Sequence, residues 1–142
     1  MASKGRFVKL IEENADELTK KWLEVVRTHP DMPTYRSYEE AKLYERAFSV
    51  YSQLGKWLSE ETTKEEIRTI YFALGKQRKE EGFKLSELLL ALIVTRRVLW
   101  LKIPKGDLLE TATDLHDGMR LSNSTILFFD RAMCFAAQGY ED

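Results

Sequence analysis

The segment FKLSELLLALIVTRRVLWLKIP, residues 83–104, constrains the fold more than any other. From Leu88 to Val94 every residue is apolar, so a helix through it has no face to give to water and must be covered on nearly all sides. Arg96 and Arg97 end that run well short of the roughly 20 apolar residues a membrane span needs. This helix is expected at the centre of a bundle, with Ser86 as its cap and Pro104 beyond its end.

The segments that must cover it repeat at helical spacing, and no strand-like alternation bounded by turns appears. Phe7, Ile11, Ala15, Leu18, Trp22, Val25 and Val26 place one stripe on a first helix over 6–28. Pro30 disfavours helical geometry at His29, and Pro33 is expected to block a quick restart. Ala41, Tyr44, Ala47, Phe48, Tyr51, Leu54 and Leu58 define a second helix over 37–58. Thr63 with Glu66 three residues on reads as a capping box for a third. That helix turns Ile67, Ile70, Tyr71 and Leu74 inward, carries GKQRKEEG as solvated last turns, and stops at Gly82. Leu108, Ala112, Leu115, Met119, Ile126, Phe129, Met133 and Ala136 keep a single phase over 107–139. This predicts one long helix, with a break between Gly118 and Asn123 as the alternative. The fold class is therefore all-α, a single bundle of about five helices over residues 1–142 with a long C-terminal helix.

The charge balance excludes one large class of partner. The 22 basic and 23 acidic residues leave a net charge of −1 and alternate instead of forming a stripe, so no nucleic-acid surface is expected. Cys134 is the one cysteine, which excludes an intrachain disulfide and a cysteine metal cage; set between Met133 and Phe135, it reads as a core thiol. The N-terminus lacks the apolar run of a signal peptide, and a cytoplasmic location without a membrane segment is the expectation.

Candidate chemistry centres on His116 in TATDLHDGMRLSNS. Four residues, LHDG, match some histidine-kinase phosphoacceptor helices, so a phosphotransfer module using His116 is one reading and a surface histidine on a long helix the other. Neither His116 nor His29 has a second histidine or a carboxylate at the spacing of a helical metal site. No cofactor and no catalytic set is expected, and the paired glutamates, Glu80 and Glu81 among them, read as solvated helix ends. Asp130, set amid apolar residues, is costly unless paired with Arg96 or Arg97. Either that pair is an interhelical salt bridge, or Arg97 faces a small-ligand pocket lined by Tyr44, Tyr51, Tyr71, Trp100 and Phe129. Leu127, Phe128, Phe135 and Ala137 fall off the stripe of the last helix and form a candidate dimer interface.

The stretches YFALGKQRKEEGFKLSELLLALIVTRRVLW (71–100) and FFDRAMCFAAQGYED (128–142), with LIEENADELTKKWLEVV leading in, resemble the N-terminal sensory domain of stressosome co-antagonist proteins of the RsbR type, in the RsbRD subgroup. The likeness rests on Gly75, Arg78, Gly82, Phe83, Leu85, Ser86, Arg97 and Trp100, and again on Phe129, Asp130, Arg131, Ala132, Gly139 and Tyr140. It implies an all-helical, haem-free input domain, globin-like in broad architecture, homodimeric and coupled to a downstream signalling protein or effector domain. A haem- or small-ligand-binding globin-like sensor is the neighbouring alternative.

The central placement of the 83–104 helix has a direct test. Leu92→Ala or Trp100→Ala should each lower stability by about 2–5 kcal/mol in denaturant melts, as for large core residues elsewhere. A loss under about 1 kcal/mol would put the helix at the periphery.

Overall fold

The computed structural model describes residues 5–101 and 112–142. These form eight helices and no strand: α1 (Arg6–Glu13), α2 (Ala15–Thr28), α3 (Pro33–Ser37), α4 (Glu40–Ser52), α5 (Leu54–Leu58), α6 (Lys64–Glu80), α7 (Leu85–Leu99) and α8 (Ala112–Glu141). Among the described residues no helix is long and apolar enough to cross a membrane. Pro104, Leu108 and the expected start of the last helix near 107 lie outside the described residues.

The expected central helix is α7, and it is surrounded. Ala91, Val94, Val98 and Leu99 enter one apolar cluster with residues of α1, α2 and α4. Leu88 and Leu92 enter a second cluster with Trp57, Ile67, Tyr71, Phe128 and Phe129. Two polar side chains anchor neighbours to its backbone: Trp22 Nε1 donates to the Ala91 carbonyl at 3.2 Å and the Tyr51 hydroxyl to the Thr95 carbonyl at 2.8 Å. Its start differs from expectation. Lys84 is the N-cap residue, and Ser86 sits exposed within the first turn. Glu87, one residue further on, is fully buried. Its carboxylate accepts from Lys84 N at 3.1 Å, Thr34 N at 2.8 Å and Thr34 Oγ1 at 2.7 Å. Three donors offset the cost of burying that charge, and they pin α3 against α7.

Two expected long helices are each broken once. Asn14 leaves helical geometry between α1 and α2, and its side-chain Nδ2 donates to the Leu10 carbonyl at 2.7 Å. This is the competition with the helical backbone that Asn favours. Gln53 separates α4 from α5, and the Gly55 N–H so released is taken by Glu12 Oε2 at 2.9 Å. Pro33 does not block a restart; it is the first residue of α3, where a missing N–H costs nothing.

The stop signal of α6 holds, and of the expected capping box at its start the Thr63 half forms. Thr63 Oγ1 accepts from Glu66 N at 3.1 Å. At the other end Gly82 takes φ +93°, with Gly82 N donating to Lys79 O and Phe83 N to Arg78 O, a Schellman turn. α8 runs unbroken through Gly118 and Asn123 for 30 residues, about 45 Å. Its register differs from the expected stripe: Leu121, Thr125, Phe128, Phe129, Ala132, Phe135 and Ala136 are buried, while Leu115, Met119 and Ile126 are exposed.

α6 and α8 cross backbone to backbone. A Cβ on Gly75 would collide with the Ala136 carbonyl oxygen, and one on Gly139 with the Phe72 carbonyl oxygen. Neither obstacle is a side chain that can turn aside. Gly75→Ala and Gly139→Ala should each lower stability by about 1–3 kcal/mol or more, although alanine favours an isolated helix. A melt in which either variant gains stability would mean that the helices are not in contact there.

Candidate ligand cavity

α6 bears a phase that its sequence conceals. Ile67, Tyr71 and Gly75 are buried, and the next position in that phase is Arg78. The guanidinium is thus carried into the bundle although GKQRKEEG looks solvated, and its side chain is only 7% exposed. Opposite, across a gap, α4 presents Leu43, Arg46, Ala47 and Val50; α7 supplies Leu88, Ala91, Leu92 and Thr95, and Trp22 and Tyr35 complete the lining. The result is a cavity of about 60 Å³.

Its polar rim is asymmetric. Glu81, the C-cap residue of α6, receives Arg46 through both oxygens, Nη1 at 3.0 Å and Nη2 at 2.6 Å. Arg78 reaches the same carboxylate with Nη1 at 3.2 Å, and that nitrogen also donates to Gln77 Oε1 at 2.8 Å. Two guanidiniums therefore share one carboxylate. Burial and then the charge of Arg46 press the Arg78 pKa down, with Glu81 and Tyr35 opposing; arginine still keeps its proton. Burial would raise the Glu81 carboxyl, but the hydrogen bonds from Arg46 and the charge of Arg78 bring it below its ordinary value. Burial pushes the Tyr71 hydroxyl far above the phenol range, with Arg78 pulling the other way.

Of the side chains expected to line a pocket, only Tyr71 does so here. Tyr44 points outward and hydrogen-bonds Asp16. Tyr51 is fully buried on Thr95, Phe129 is fully buried in the second cluster, Trp100 is half-buried against the first, and Arg97 is exposed. Asp130 is not a buried charge: its side chain is 62% exposed and meets Arg96 at 3.9 Å, a surface pair of little energetic weight. Cys134 is exposed instead of lying in the core, because α8 turns its neighbour Phe135 inward. Phe128 and Phe135, expected at an interface, are buried within this chain; Leu127 is exposed and Ala137 half-buried. His116 is exposed on α8, and His29 Nδ1 accepts from Asp31 N at 3.0 Å in the turn after α2.

The cavity is too small for a haem, and no histidine lines it. Among the described residues no three His, Cys, Asp or Glu side chains gather as a metal set requires. A scan against protein-family models finds no match, and searches of curated proteins and of solved structures return no significant match.

The Glu81 bridge should be visible in the pH dependence of stability. Its folded-state pKa lies below the ordinary 4.5, so its contribution is complete above that value and is lost as pH falls through the lower one. Glu81→Gln should cost about 2 kcal/mol at neutral pH, since Arg78 loses its counter-charge. That difference from the wild type should shrink in acid. A gap that stays constant with pH would remove Glu81 from the ion cluster.

Proposed function

We propose that the chain is a non-enzymatic, cytoplasmic signal-input domain of a bacterial stress-response or signal-transduction regulator, with α8 as its output. The observation that carries this reading is the contrast between the two halves of α8. Its C-terminal half is fixed to α6 by the glycine crossing, and the Tyr140 hydroxyl donates to the Phe83 carbonyl at 2.7 Å, just past the Gly82 turn. Its N-terminal half, with Leu127 just beyond the midpoint, carries Leu115, Met119 and Ile126 into solvent, all four being between 46% and 60% exposed. A helix packed along one face, fixed by glycines near its C-terminus and carrying exposed apolar residues toward its N-terminus, suits pairing with a second copy or an effector, and a shift of α6 would reach that surface through α8. The resemblance to RsbR-type sensory domains supports the same reading.

The second reading, phosphotransfer on His116, has one observation in its favour: the imidazole is exposed on that same N-terminal half. Incubation with acetyl phosphate followed by intact mass separates the two. A labile phosphate absent from His116→Ala would replace the helix-packing mechanism with a chemical one.

Oligomeric state tests the first reading. Light scattering should report a dimer in the micromolar range, weakened by Met119→Asp or Leu127→Asp with the fold intact. Phe128→Asp and Phe135→Asp should instead unfold the chain, since both rings lie in its own core. A well-folded wild-type monomer at high concentration would overturn pairing through α8.

A further inference from the structure

We propose that the cavity between α4, α6 and α7 binds a short-chain monocarboxylate, with Arg78 as its anchoring residue. The inference goes beyond the reading above, and rests on it only for what binding would do to α8.

Arg46 and Arg78 share Glu81 as a carboxylate partner. Glu81 takes two hydrogen bonds from Arg46, at 2.6 and 3.0 Å, and one longer contact of 3.2 Å from Arg78, while Glu87 is held by the backbone N–H groups of Thr34 and Lys84 and the Thr34 hydroxyl. Arg78 is therefore the more weakly held of the two guanidiniums. A buried guanidinium that shares its one carboxylate has unused binding capacity, and a second anion would take it up.

Donor supply agrees. Arg78 uses Nη1 alone; among the described residues its Nε and Nη2 make no hydrogen bond. These two nitrogens are one edge of the guanidinium fork, the geometry that takes a carboxylate with two parallel hydrogen bonds. The hydroxyl of Tyr71, also on the cavity wall and buried, likewise has no partner among the described residues. A phenol beside the fork supplies a third donor to the same anion.

Size and wall chemistry set the rest of the ligand. A cavity of about 60 Å³, at roughly 10–15 Å³ for each water-sized group, holds about four to six non-hydrogen atoms. Acetate, propionate and butyrate span that range. Leu43, Ala47, Val50, Leu88, Ala91 and Leu92 offer the tail an apolar wall with no side-chain donor for a second negative charge. The site therefore selects a monoanion with a short hydrocarbon tail over phosphate, sulfate or a dicarboxylate.

The test is a titration of the protein with sodium acetate, propionate and butyrate at constant ionic strength, against sodium chloride and phosphate. The fluorescence of Trp22, whose ring lines the cavity, and the melting temperature are the readouts. Propionate or butyrate should saturate in the millimolar range, as ligands of so few atoms do, and chloride and phosphate should not. Arg78→Met should weaken binding by roughly tenfold to a hundredfold, the loss expected for charge-assisted hydrogen bonds. Glu81→Gln removes the carboxylate that competes for Arg78 and should tighten binding several-fold. Where Arg78→Met does not fold, Ala91→Leu, which fills the cavity from α7 with every charge in place, must abolish binding. No saturation below about 0.1 M, an equal response to chloride or phosphate, or Ala91→Leu binding like the wild type would overturn the proposal. The failures are separable. Carboxylate binding without any change in the exchange of α8 amides or in oligomeric state would remove the signalling reading and leave the site. An uncharged ligand in the same cavity, with carboxylates excluded, would do the reverse.

Discussion

A helix that is apolar on nearly every side has to be enclosed, and α7 dictates where everything else goes. α1, α2 and α4 cover one side of it and α6 and α8 the other. The one charged group α7 buries, Glu87, is at its first turn, where helix N–H groups and the positive end of the dipole favour a carboxylate. There it also fixes α3, closing an end of the bundle that would otherwise be capped only by loop. Enclosure of α7 is incomplete along one line. α4 and α6 stand apart over its surface, and the gap between them is the cavity.

Much of this was legible in the chain, because burial imposes periodicity. The stripe from Phe7 to Val26 survives in the buried faces of α1 and α2. The Thr63 cap and the Gly82 stop are local chemistry, and both appear as expected. Gly75 and Gly139 belong to the pattern behind the resemblance, and the crossing of α6 and α8 gives both a physical reason. The breaks at Asn14 and Gln53 were not legible, since one non-helical residue hardly disturbs the phase on either side. Each break is stabilised by partners that no local pattern encodes, Glu12 for Gly55 above all.

The site was less legible than the fold, for two different reasons. Arg78 was within reach: it continues the inward phase of Ile67, Tyr71 and Gly75, and only its charge and its charged neighbours made it look solvated. A long charged residue in a buried phase is the signal. The phase of α8 was harder to read, because the helix has more apolar positions than one neighbour can cover. The sequence alone does not say which of two apolar faces the bundle will take. Packing against α6 selects the Phe128–Ala132–Phe135 face, because only that face brings Ala136 and Gly139 onto Phe72 and Gly75. Leu115, Met119 and Ile126 are left outside as a result.

The glycine crossing also decides how the molecule yields to compression. Where α6 meets α8 there is no side chain between the backbones, hence no volume to give up. Between α4 and α6 there is hollow space over α7. Pressure favours the state of smaller volume, so squeezing would act on the hollow side, driving α4 inward or water into the gap, with the α6–α8 pair as the hard wall. The protein is thus soft along one direction and stiff across it, and the soft direction runs from Arg46 to Arg78.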